Sequence, residues 1–150
     1  MGTHYKGSET EIRALDTYIK LMRAVGSLGS SLERRLDEEG LTGSQFGILE
    51  ALLHLGPLCQ RDLGQKLLTS GGNVTTVVDN LEKRGLVQRV RSEEDRRFVT
   101  VHLTDEGKRL ITAVFPRHLA RIVEALAALE PDEQEGLGRL CKKLGVAVAR

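Results

Sequence analysis

Tryptophan is absent from the 150 residues, and aromatic residues together make up only 3%. A platform on which successive bases stack needs aromatic side chains, so that mode of single-strand binding is not expected. Cysteine is scarce as well. Cys59 and Cys141 are too few for a disulfide framework and suit a reducing compartment, so the expected location is cytoplasmic. No apolar run approaches the roughly eighteen residues of a membrane span, and the N-terminus lacks an apolar signal core. Met1-Gly2 opens like a myristoylation signal, but Lys6 stands where Ser or Thr is required. A surplus of either charge is missing too. Twenty-two Lys and Arg against 21 Asp and Glu leave +1, which excludes a strongly basic tail but not a local basic patch. The four histidines, His4, His54, His102 and His118, have no paired metal-ligand spacing with Cys, Asp or Glu. There is no phosphate loop and no nucleophile elbow. Neither an enzyme, nor a metal site, nor a cofactor is expected.

What is present is a chain of ordinary globular composition, 40% hydrophobic and 29% charged, long enough for one domain with helical extensions. From Thr10 to Glu39 apolar residues recur every three or four positions, from Ile12 and Leu15 to Leu32 and Leu36. That spacing predicts one long amphipathic helix, weakened at Gly26 and Gly29, where it has room to bend, and ended at Gly40. Thr42 and Gln45 form a capping box for a second helix that Gly56-Pro57 stops. His54 near its end reads as a capping or core residue. A short third helix follows Cys59, with Leu63, Leu67 and Leu68 on its apolar face. After Thr69-Ser70-Gly71-Gly72 a fourth helix is expected over about Asn73 to Arg84, with Val74, Val77, Val78 and Leu81 inward. Two short helices around a Gly-containing turn, the second polar outside, form a helix-turn-helix.

The period then changes to two. Leu86 to Arg91 and Phe98 to Leu103 read as strands around a polar stretch, Ser92 to Arg97. A fifth helix is capped by Thr104-Asp105-Glu106 and runs towards Leu129, with a kink expected at Pro116. Glu130-Pro131 opens a last helix. The fold class expected is mainly α with a small β-hairpin wing: a winged helix-turn-helix over 41–110, between a dimerisation helix over 1–40 and dimerisation helices over 111–150.

A polar helix fits the DNA major groove, and a hairpin beside it reaches the adjacent backbone or minor groove. Asn73, Thr75, Thr76 and Asn80 offer donors and acceptors, with Ser70 and Gly72 in the turn before them. Lys83, Arg84, Arg89, Arg91, Arg96 and Arg97 carry six positive charges; Glu93, Glu94 and Asp95 offset three of them in the same window. That footprint suffices for phosphate contacts without demonstrating them. A winged-helix protein-interaction module that never touches DNA remains the alternative from another class.

The run from Leu67-Leu68-Thr69-Ser70 to Asn73-Val74-Thr75 and then Leu81-Glu82-Lys83-Arg84-Gly85-Leu86-Val87, followed by Asp95-Arg96-Arg97 and Leu103-Thr104-Asp105-Glu106-Gly107, resembles the MarR family of bacterial regulators. The resemblance spans about residues 41 to 110. It implies a homodimer on palindromic double-stranded operator DNA, usually a repressor released by a small ligand or by thiol oxidation. It also implies that Arg97 enters the minor groove while Asp95 braces it. Position 76 is Thr where many members carry Arg or Pro, so which base is read there stays open. His4-Tyr5-Lys6-Gly7-Ser8 and Tyr18-Ile19-Lys20-Leu21 are similar to a quinone- and phenol-responsive subgroup. The family's peroxide sensors carry a cysteine near the first helix, and this chain has none there.

Further candidates follow. Ile12 and Leu15 at one end, and Leu137, Leu140, Leu144 and Val148 at the other, are stripes that a dimer interface would bury. A ligand site is expected where the first helix, the second helix and the start of the fifth converge. There Tyr18, Met22, Phe46 and Leu49 are either its walls or simply core, and Arg109 is either an anion partner or a surface charge. Cys59 at a helix start is either a thiolate stabilised by the dipole, with Arg61 nearby in sequence, or a small capping residue. Cys141 reads as a packing residue.

Overall fold

The computed structural model describes residues 2–67 and 71–149. They form α1 (Glu9–Glu38), α2 (Gly43–Leu55), β1 (Leu58–Cys59), α3 (Gln60–Leu67), α4 (Gly71–Lys83), β2 (Val87–Arg91), β3 (Val99–Leu103), α5 (Asp105–Leu126) and α6 (Pro131–Val148). The chain divides into two compact units, one up to His118 and one from Leu119 onward.

Helix boundaries follow local chemistry. Ser8 caps α1, its hydroxyl accepting from the Glu11 N–H while the Glu11 carboxylate accepts from the Ser8 N–H. Thr42 and Gln45 make the same reciprocal pair at α2. Gly40 and Gly56 end the first two helices with φ of +77° and +79°, a region that other L-residues rarely enter. One continuous helix, α1, runs through Gly26 and Gly29. Pro116 lies inside α5, which continues past it and ends at Leu126 rather than near Leu129.

The first unit's core is aliphatic. Ile48, Leu49 and Leu52 of α2, Leu63 of α3, and Val74, Val78 and Leu81 of α4 close against Val87, Val101, Ile111 and Val114. The sheet has three antiparallel strands in the order β1-β3-β2. Val87 pairs with Leu103 and Arg91 with Val99, so β2 and β3 are the expected hairpin. The third strand is not foreshadowed by the sequence pattern: Leu58 and Cys59 pair with Val101 and Thr100. Cys59 therefore lies in a strand and also immediately precedes α3. His54 is exposed, its Nδ1 close to the Glu50 carbonyl and carboxylate and its ring edge-on to Phe115.

In the second unit the Gln134 side-chain amide donates to the Leu126 and Leu129 carbonyls, tying the start of α6 to the end of α5. No residue of α6 is buried. Cys141 is exposed in the single chain, as its neighbours Leu140 and Leu144 are. Among the described residues no helix is long and apolar enough to cross a membrane.

Candidate nucleic-acid interface

Residues three or four apart share a face of a helix, and α4 has three such faces. Val74, Val78 and Leu81 are buried and anchor it. Asn73, Thr76, Asn80 and Lys83 form an exposed polar face. Thr75, Asp79 and Glu82 lie on a flank that faces β2 through Arg89. The Arg89 guanidinium donates to Asp79 Oδ1 at 2.6 Å and to Glu82 Oε1 at 2.9 Å. Gly72 lies in the first turn of α4. Ser70 is outside the described residues.

The wing is ordered by its own hydrogen bonds. Ser92 N–H donates to the Phe98 carbonyl at 2.9 Å, and Phe98 N–H to the Asp95 carbonyl at 3.0 Å. Arg91 Nη1 donates to the Arg96 carbonyl. The Asp95 carboxylate accepts from the Arg97 side chain and from the Arg97 backbone N–H, which together hold its pKa below the usual aspartate range. The same side-chain bond raises the Arg97 pKa. Arg97 is nonetheless 87% exposed, so a positive group projects from a braced loop.

Charge counting puts six basic residues on this surface, and the structure divides them. Arg84 Nη1 donates to the Gly40 carbonyl at 2.8 Å and lies 3.4 Å from Gln45 Oε1, so it ties the end of α4 to the α1–α2 turn. Arg89 is held by the two acids of α4. The Arg89 guanidinium thus turns back towards α4, whereas Arg84 is exposed while it holds the α1–α2 turn. Lys83, Arg91, Arg96 and Arg97 are exposed as well. Sequence reasoning missed Gln60, Asp79 and Glu82. The helical spacing of the two acids beside a strand arginine was the signal that could have found them.

The candidate ligand residues do not share one wall in the single chain. Leu49 is sealed in the core at 0% exposure, whereas Tyr18 and Met22 are exposed. Phe46 is half-buried, stacked with Phe115 at 6.3 Å between ring centres and tilted against His118 at 4.4 Å. Arg109 is exposed, 3.7 Å from Glu106, and lines a groove of about 450 Å³ with Asp105, Lys108, Thr112 and Ala113. The dimer candidates lie on the surface: Ile12 and Leu15 on α1 are partly exposed, and Leu137, Leu140, Leu144 and Val148 on α6 are exposed.

Comparison with known proteins returns one family. The sequence profile described as the MarR family matches residues 39–97. YkoM, an uncharacterised HTH-type transcriptional regulator of Bacillus subtilis, is 38% identical over 93% of this chain and 91% of its own length. The HTH-type transcriptional regulator MhqR of the same organism is 33% identical over 89% of this chain and 92% of its own. Among solved structures, Sco3205 of Streptomyces coelicolor, a MarR family regulator crystallised with DNA, superposes with a TM-score of 0.86 at 22% identity, covering 98% of this chain and 93% of that one. BpsR of Bordetella bronchiseptica, described for regulation of its DNA binding by 6-hydroxynicotinic acid, superposes at 0.77 with 25% identity, covering 86% and 98%.

Proposed function

Because the chain belongs to the MarR family, we propose that it is a homodimeric transcriptional regulator of the cytoplasm, whose two winged helices bind one palindromic operator and which a small hydroxylated aromatic ligand releases as a repressor. The observation that carries the DNA-binding part is the exposed polar face of α4 beside a wing whose Arg97 is braced by Asp95. A helix carrying Asn73, Thr76 and Asn80 on its outer face can present amides and hydroxyls to base edges in the major groove. Thr75 sits at the margin of that face. Lys83, Arg91 and Arg96 can reach phosphates, and Arg97 suits the negative potential of a narrow minor groove.

The dimer is supported by apolar surface on α6 that the single chain leaves in water. Two-fold association is the commonest way to bury such a stripe, and it would place two recognition helices on successive major grooves. The ligand class is suggested by BpsR and its hydroxylated aromatic acid. Release by oxidation of Cys59 has weaker support, since that free cysteine is half-buried and its backbone is tied into the sheet opposite Thr100.

The test is selection from a randomised duplex pool, followed by affinity measurement between 50 and 200 mM salt. The expected result is an enriched inverted repeat with half-sites about 10 base pairs apart, and log affinity falling linearly with log salt. A pool that yields no enriched duplex would overturn the reading and favour a protein-interaction module.

A further inference from the structure

Arg89 rises from the middle of β2, opposite Val101, and its side chain is only 23% exposed. Four guanidinium N–H groups are engaged. Nε donates to Gln60 Oε1 at 2.9 Å, Nη1 to Glu82 Oε1 at 2.9 Å, and Nη2 to Asp79 Oδ1 at 2.6 Å and the Thr75 carbonyl at 3.5 Å. The Arg89 backbone N–H donates to the other Glu82 oxygen at 2.9 Å. Gln60 completes the set, its side-chain amide donating to Thr75 Oγ1 at 3.1 Å. The strand that carries the wing, the first residue of α3, and one flank of α4 are thus joined through a single side chain.

On charge alone this arrangement is unfavourable for a DNA-binding helix. Asp79 and Glu82 put two carboxylates on the helix proposed to face phosphates, and exposed ion pairs stabilise a fold only slightly. Geometry gives them a purpose. The packing of Val74, Val78 and Leu81 against the core is apolar and non-directional, so it resists withdrawal of α4 more than a small roll about its axis. A planar guanidinium with fixed donor directions resists that roll, because Asp79 and Glu82 are held at two positions along the helix. The Gln60 amide fixes the Thr75 hydroxyl at the margin of the reading face.

From these contacts we infer that Arg89 is a positioning residue for base reading: clamped by Asp79 and Glu82, it sets the roll of α4 relative to the wing, so that sequence selectivity depends on it more than overall affinity does. The inference rests on the DNA-binding reading above.

The test uses the full chain, with a duplex enriched by the native protein and a scrambled duplex of the same length. Asp79→Asn combined with Glu82→Gln is expected to lower the ratio of the two affinities at least tenfold, while binding to the scrambled duplex is kept or strengthened by the loss of two negative charges. Arg89→Lys is expected to retain part of the ratio, since an ammonium can reach one carboxylate but cannot span both. A merely structural role would reduce the folded fraction and scale both affinities alike, leaving the ratio intact. If the double variant fails to fold, Gln60→Ala, which removes only the Thr75 tether and one Arg89 acceptor, decides by the same ratio. The clamp is overturned if the double variant or Gln60→Ala leaves the ratio unchanged, or if Arg89→Lys lowers both affinities equally. Failure to enrich any duplex would instead overturn the DNA-binding reading, and the inference with it.

Discussion

Arg97 grips Asp95 through three donors: Nη2 lies 2.7 Å from Oδ2, Nε 3.0 Å from Oδ1, and the backbone N–H 3.1 Å from Oδ1. Two residues apart in a loop, they form a closed ring that fixes the guanidinium direction before any DNA arrives. An exposed pair of this kind adds little to fold stability. Its value lies in preorganisation, because a loop already ordered loses less freedom on binding.

Arg97→Ala should therefore weaken binding to most duplexes and flatten the salt dependence, by a slope change of about one for each phosphate it no longer neutralises. Thr76→Ala or Asn80→Ala should instead relax sequence choice, at about 1–3 kcal/mol for a good base contact. Affinity measured against salt for matched and mismatched duplexes separates the two. An Arg97→Ala protein with native affinity and slope would remove the wing from the interface.

The same pair sets a pH expectation. The Arg97 side-chain bond, followed by its backbone N–H, depresses the Asp95 pKa. A depressed carboxylate contributes stability that is present above its unfolded pKa and lost as pH falls through the folded one. The brace should stay intact from pH 8 down to about pH 4, the ordinary aspartate range, and fail only below it. Carboxyl chemical shifts followed by NMR should show Asp95 titrating below the ordinary aspartate value, and Arg97→Ala should move it back up. An unshifted midpoint in the native protein would mean the ring is not populated in solution.

Two glycines make opposite predictions. A Cβ at Gly107 would lie 1.9 Å from the Leu86 carbonyl oxygen, a backbone atom that cannot turn aside. Gly107→Ala must push α5 off the strand entry, at a cost of about 1–3 kcal/mol, read as a lowered urea midpoint. Gly26 on α1 has open space around the added carbon. Gly26→Ala should stabilise by about 1 kcal/mol through helix propensity. Destabilisation at Gly26 would mean that another surface packs there.

Much of this fold is written locally. The Thr42–Gln45 box, the stop at Gly56 and the change to period two after Gly85 are short-range signals, and each marks a real boundary. What escaped is non-local. Two residues cannot display a period, and Leu58–Cys59 becomes a strand only because β3, some forty residues later, offers an edge. At the site, Asp95 and Arg97 stand out because they are close in sequence. Charge counting could not tell which arginines are engaged by the fold, since Arg84 and Arg89 find Gly40 and Asp79 only once distant segments meet. The ligand residues were not separable from core for a related reason: an apolar residue on a helix face reads the same whether it lines a pocket or, like Leu49, seals a core.

The α6 stripe gives the test of assembly. Leu140 and Leu144 are 55% and 49% exposed and support no core in the single chain. Leu140→Glu with Leu144→Glu should leave the far-ultraviolet circular dichroism unchanged while converting a micromolar dimer to monomer by sedimentation. Each winged helix would then bind its half-site alone, losing on the order of a hundredfold or more in apparent affinity for the full repeat. A native protein that sediments as a folded monomer at micromolar concentration would refute the dimer outright.

Ligand release can be tested without knowing the natural ligand. Phenols, hydroxylated aromatic acids and quinones are screened by thermal shift, because a compound that binds only the folded state raises its melting temperature. Since Phe46 packs on Phe115 and His118, a ligand entering near it must open that cluster, which would favour a minor state of the α2–α5 junction. For a compound seated instead in the α5 groove that Arg109 lines, Arg109→Ala should weaken carboxylate-bearing members more than neutral phenols, because only the former need a cation. Coupling between two binding sites is reciprocal, so operator DNA must reduce ligand affinity by the factor with which ligand reduces DNA affinity. A hit titrated into the protein with and without its enriched duplex measures that factor directly. Equal ligand affinity in the two titrations would show that the compound binds without inducing, however large its thermal shift.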